Sequence, residues 1–174
     1  ALLNTNQIVE LREVDLKNKP IELIHISQKA TVPVLITNSN KVIDESLEIM
    51  SWSIEISNML ELFGDRFNDK SKEIFNLINT NDRLFKYHLD RFKYSSRFDI
   101  QESEIHREVC MEILLSLNSR LKEFSKKGKP LFLVDAKESL ADWAIWPFVR
   151  QFKIADIANF DQNNKIKFLK KWLN

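Results

Sequence analysis

The chain has 174 residues, 44% hydrophobic and 29% charged, with a formal net charge of +1. That length suffices for one large core or two small ones, and the near-neutral balance gives no electrostatic case for nucleic acid or a membrane surface. A single cysteine, Cys110, excludes an internal disulfide framework and a cysteine zinc cage, and two glycines, Gly64 and Gly128, are too few for a phosphate-cradling loop.

The first sixty residues alternate strand and helix signals. Ile8–Val14 (IVELREV) predicts a short strand, with Ile8, Glu10, Arg12 and Val14 opposing Val9, Leu11 and Glu13. The polar turn DLKNKP ends at Pro20, whose ring presets the first turn of a short helix over Ile21–Ser27. Val34–Thr37 (VLIT) reads as a buried strand. Asn38, Ser39 and Asn40 supply turn chemistry, and Lys41–Asp44 returns to complete a hairpin. Helical spacing begins at Glu45, with Leu47, Met50, Ile54 and Met59 near one face and Ile49 and Trp52 beside them. Strand, helix, hairpin, helix is an α/β unit.

From about Asp65 the period is helical throughout. Ile74, Leu77, Ile78, Leu84, Phe85, Leu89 and Phe92 form one stripe; Ile105, Val109, Ile113, Leu117, Leu121 and Phe124 form a second, ended by Gly128 and Pro130. Ser139 and Asp142 make an S-x-x-D capping box for a helix from Leu140 to about Phe152, with a bend expected at Pro147. A last helix is expected over Gln162–Trp172, its lysines forming a solvated face. The expected organisation is therefore residues 1–60, a linker at 61–68, and an all-helical part at 69–174.

Three places in the first part could carry chemistry. Val32-Pro33 precedes a strand; the bond is either a trans turn or a cis bond that turns the Val32 main chain outward toward an extended peptide. Glu45-Ser46 opens a helix, where free amides attract a carboxylate, unless Asp44 or Ser46 merely caps it. Lys19 is a lone cation in a polar turn, ordinarily a solvated one. Cys110 reads as a buried, inert thiol beside the main stripe. His25, His88 and His106 show no metal-ligand spacing, so they read as packing or surface residues and no metal is expected. With no apolar run of bilayer length and no leader-like start, the expected location is the cytoplasm.

VPVL, a short hairpin, and DES at the head of an amphipathic helix resemble the glutathione site of glutathione transferases. DLKNKP resembles omega-class and related bacterial members in particular. The likeness continues in LFKYHLDRFKYSSRF, from Leu84 to Phe98, and in SLADWAIWPFVRQF, from Ser139 to Phe152. The resemblance implies an α/β plus all-α fold: a partial thioredoxin-like domain followed by an all-helical glutathione-transferase C-terminal domain. It also implies that glutathione serves as co-substrate. Lys19 would pair with its glycyl carboxylate, Val32 before a cis Pro33 would bond its cysteinyl main chain, and Glu45 and Ser46 would hold its γ-glutamyl end. The family's first strand and its catalytic Cys, Ser or Tyr would lie before Ala1, which leaves the catalytic residue unassigned and the hairpin without its usual neighbour. Most of Phe85, Tyr87, Phe92, Tyr94, Trp143 and Trp146 would fill the core, and a few would wall a hydrophobic acceptor pocket. The implied activity is transfer to an electrophilic or disulfide acceptor, a small molecule or thiol. The alternative is a non-catalytic interaction module of the same fold. A homodimer is expected, through the Ile74–Phe92 stripe with Met59, Leu60, Leu62 and Phe63.

Overall fold

The computed structural model describes residues 1–64, 69–126 and 129–174. They form two compact units, Ala1–Leu60 and Glu61–Asn174. The expected chain punctuation at Gly128 lies outside the described residues.

In the first unit, α1 (Ile21–Ile26) starts from Pro20, and β1 (Leu35–Ile36) pairs antiparallel with β2 (Val42–Ile43), Leu35 opposite Ile43 and Ile36 opposite Val42. Asn40 takes the left-handed conformation at φ 60°, and its N–H donates to the Thr37 carbonyl at 2.9 Å. Asparagine tolerates that region, which is why the turn chemistry was readable. Helix α2 (Ser46–Ile56) follows. Its buried positions are Ile49, Ser53 and Ile54, whereas Leu47, Met50 and Met59 are half-buried. Ser53 can lie inside because its hydroxyl donates to the Met50 carbonyl at 2.8 Å.

Ile8–Val14 is not a strand. A strand exists only through its ladder, and among the described residues nothing pairs with this segment. Ile8 and Leu11 are accordingly exposed. The preceding residues are anchored instead: Gln7 Nε2 donates to Ser57 Oγ, and Ser57 Oγ to the Thr5 carbonyl, both at 3.0 Å.

The second unit is helical: α3 (Asp69–Thr80), α4 (Lys86–Lys93), α5 (Ser103–Glu123), α6 (Leu140–Ala155), α7 (Ile157–Gln162) and α8 (Lys167–Leu173). A π turn at Asn81–Phe85 joins α3 to α4. The wider turn shifts the register, so Ile74, Ile78, Phe85 and Leu89 are buried while Leu84 is exposed. The α5 stripe is corrected too. Its inner face is His106, Cys110, Leu114, Leu117, Asn118 and Leu121, one residue on from the expected row in its first half. Polar Asn118 faces inward because its Oδ1 accepts the Phe168 and Leu169 amides, at 2.9 and 3.1 Å, at the start of α8. Helix α6 continues through Pro147. Phe85, Phe92 and Phe160 surround Phe152, with ring centroids 5.6 to 6.4 Å from it. Short α7 went unforeseen, and the expected last helix is divided, Asn163 capping a tight turn at Asn164–Ile166 before α8. No helix among the described residues is long and apolar enough to cross a membrane.

Candidate functional site

The hairpin assembles one end of the first unit. Pro33 lies two residues before β1 and Glu45 two residues after β2, so the antiparallel register carries Val32-Pro33 and Glu45-Ser46 to the same end. The Val32-Pro33 peptide bond is cis. Val32, Pro33, Glu45 and Ser46 are all exposed, and the Val32 main chain makes no hydrogen bond among the described residues. Glu45 occupies the N-cap of α2 without a side-chain cap bond, so neither Asp44 nor Ser46 consumes the free amides of the first turn. Those amides, with the Ser46 hydroxyl, suit a carboxylate. An outward main chain beside them suits an extended peptide.

Two neighbours were not anticipated. Lys29 forms an ion pair with Glu45 and lies 3.8 Å from Asp44. Its ammonium is held above the usual lysine range, chiefly by the hydrogen bond to Glu45. Ser27, just past α1, donates its hydroxyl to Asp44 at 2.9 Å. The signal was faint: a lysine after a short helix has no spacing that points to a residue in the next helix. Lys19 is exposed and makes no ion pair among the described residues. It follows a turn in which Asp15 accepts the Lys17 and Asn18 amides, at 2.9 and 3.0 Å, and among the described residues no hydrogen bond or ion pair ties it to the hairpin.

Cys110 offers no alternative nucleophile. It is fully buried on α5, its Sγ 3.9 Å from the Phe85 carbonyl, and burial pushes its thiol up to about 12. Of the aromatic residues expected in the core, only Phe85 is fully enclosed; Tyr87, Tyr94 and Trp146 are partly exposed. An open depression beside α3, lined by Asp69, Glu73, Asn76, Thr80 and Arg120, contains none of them.

Residues 1–58 match the family described as Glutathione S-transferase, N-terminal domain. The fold of the chain is that of the glutathione transferases. The Tau class glutathione S-transferase of mango, Mangifera indica, is 23% identical, with 99% of this chain covering 78% of that one at a TM-score of 0.79. The transferase URE2P6 of Phanerochaete chrysosporium, solved with oxidised glutathione, is 17% identical, with 98% of this chain covering 80% of that one at 0.80. A sphingomonad glutathione S-transferase complexed with glutathione is 14% identical, the coverages 99% and 82% and the TM-score 0.77. No curated protein matches the sequence.

Proposed function

We propose that the protein binds glutathione at this end of the hairpin and acts as a glutathione transferase or glutathione-dependent thiol transferase. The observation that carries the reading is one of coincidence: the stretch that matches the family also holds, at one end of a hairpin, an exposed Val32 whose main chain makes no hydrogen bond among the described residues and an uncapped α2 start. Glutathione is an extended peptide with two carboxylates and one ammonium. Val32 would pair its main chain with the cysteinyl residue. Ser46 and the α2 amides would take the γ-glutamyl carboxylate, Glu45 the ammonium, and Lys19 the glycyl carboxylate. The second substrate would be an electrophile or a disulfide, with the glutathione thiolate as nucleophile.

The Asp15–Pro20 segment supports an omega-like or related bacterial class, and we place the protein in the cytoplasm as a homodimer. The dimer surface needs revision. Leu62, Phe63, Ile74, Ile78, Phe85 and Leu89 are buried and so are not free for pairing, whereas Leu60 and Leu84 of the expected stripe are exposed. Light scattering decides the assembly: a mass of 20.6 kDa would refute the dimer, and twice that would support it.

Isothermal calorimetry with glutathione tests the site. Lys19→Ala and Ser46→Ala should each weaken binding roughly 5- to 100-fold through loss of a charge-assisted bond. Unchanged affinity in both would remove the assignment.

A further inference from the structure

Away from the hairpin, two histidines join α4 to α5. His88 Nδ1 and His106 Nδ1 are 2.8 Å apart, with ring centroids separated by 4.9 Å. His106 is buried and His88 half-buried. The Tyr87 ring stands edge-on to both imidazoles. A neutral imidazole carries one N–H and one lone pair, so this contact requires one ring to donate from Nδ1 and the other to accept there. One added proton preserves it, because the donor ring takes that proton on its Nε2 and still donates from Nδ1. A second proton must go onto the accepting Nδ1. Two N–H groups and two charges would then face each other at hydrogen-bond distance, and the contact fails.

We propose that the His88–His106 pair is an acid-released latch, closed while the pair holds at most one extra proton and opened by the second. The surroundings set its direction. Arg91, stacked 3.4 Å over Tyr87, is the cation near His88 on α4, and Glu102, before α5, lies 3.8 Å from His106 Nε2. Farther along α5, Arg107 is engaged by Asp156 and Glu104, and Cys110 remains a neutral thiol. Helix α6 meets α4 through Phe148 with Lys86, Gln151 with Lys93, and Phe152 with Phe92. In the π turn, Asp82 pairs with Lys86, and after α4 the Arg97 guanidinium stacks on Tyr94.

Burial first, then His106 and Arg91, hold His88 below the ordinary imidazole value. The unfolded chain therefore binds more protons than the folded one just below that value. The latch's stability is fully present above about pH 6.5 and is lost as the pH falls through the lower folded value. Asp142 cannot imitate this loss. Burial raises its carboxyl, so its linkage strengthens the fold on acidification.

The test uses the full chain, with NMR titration of the histidine rings and thermal melts between pH 7.5 and 5. The two rings should titrate in coupled steps, His88 below a free imidazole, and the melting temperature should fall with pH. His88→Asn keeps a donor and an acceptor near the Nδ1 position without a titrating group. In that variant the acid-induced fall should shrink by about half or more, because the second proton has lost its site. Independent titration of both rings at the ordinary value would overturn the latch, as would an undiminished fall in His88→Asn. If His88→Asn does not fold, the wild-type ring titration alone decides.

Discussion

Asp142 is where a single change should do the most damage, and its cost follows from the donors it serves. Its carboxylate accepts the Leu133 amide at 2.9 Å, the Ser139 amide at 3.0 Å, the Ser139 hydroxyl at 2.8 Å and the Trp172 indole N–H at 3.0 Å. It closes the capping box of α6 while also holding the 131–134 segment and α8. In Asp142→Ala the Ser139 hydroxyl can rotate, and half-buried Trp172 can turn to water. The Leu133 and Ser139 amides cannot, because both residues are buried. Two stranded amides at about 1–3 kcal/mol each, the Ser139 one being the capping-box bond itself, exceed the relief from no longer burying a carboxylate; the net expectation is about 3 kcal/mol. For a chain of this length that lowers the melting temperature by about 6–12 °C. Urea and thermal unfolding by circular dichroism and tryptophan fluorescence measure it, since Trp143, Trp146 and Trp172 lie in the helical unit and only Trp52 outside it. Trp172→Phe removes one donor and leaves the carboxylate three, so it should cost about 1 kcal/mol. Glutathione affinity should not change in either variant. An Asp142→Ala cost under about 1 kcal/mol, or one no larger than that of Trp172→Phe, would refute the reasoning.

Lys29→Met removes the cation that already occupies Glu45, so glutathione should bind about two- to five-fold more tightly by calorimetry; weaker binding would make Lys29 a contributor instead. Gly64→Ala should cost about 1–2 kcal/mol in thermal unfolding, because φ is +74° and a Cβ would lie 3.1 Å from Ile74 Cδ1 and 3.2 Å from the Ser71 nitrogen. Wild-type stability would contradict that geometry. Cys110 in the folded chain should resist a thiol-specific disulfide reagent at pH 7.5 and react once urea exposes it. Rapid modification of the native protein would show that the thiol is neither buried nor neutral.

What the sequence disclosed depended on how locally each feature is specified. The hairpin was readable because Asn40 both permits the left-handed turn and lies between two apolar pairs. The α6 capping box was readable because its partners are three residues apart. Ile8–Val14 misled because alternation reports a preference for a ladder, and no partner strand is present among the described residues to supply one. The α5 face was misjudged by one residue because two adjacent rows are apolar. Burial of His106 and Asn118 depends on partners 18 and 50 residues away, which no helical period encodes. The role of Asp142 was half legible: the box was local, the bonds to Leu133 and Trp172 were not.

The same distinction ranks the proposed binding residues. Val32, Pro33, Glu45 and Ser46 are brought together by a two-residue ladder, so their shared position is a consequence of the hairpin register. Lys19 has no such warrant. Its backbone is bracketed by the Asp15 turn before it and by Pro20 at φ −65° after it, which limits where the lysine can reach without directing it toward the hairpin. Glu45 stands between these cases, placed by the register but already neutralised by Lys29. A ligand ammonium must displace or share that lysine, whereas a ligand carboxylate meets the unencumbered α2 amides and the Ser46 hydroxyl. On the proposed reading, the carboxylate end of the γ-glutamyl group is therefore the part of glutathione that this geometry suits best, and Ser46 is the residue whose loss should be felt first.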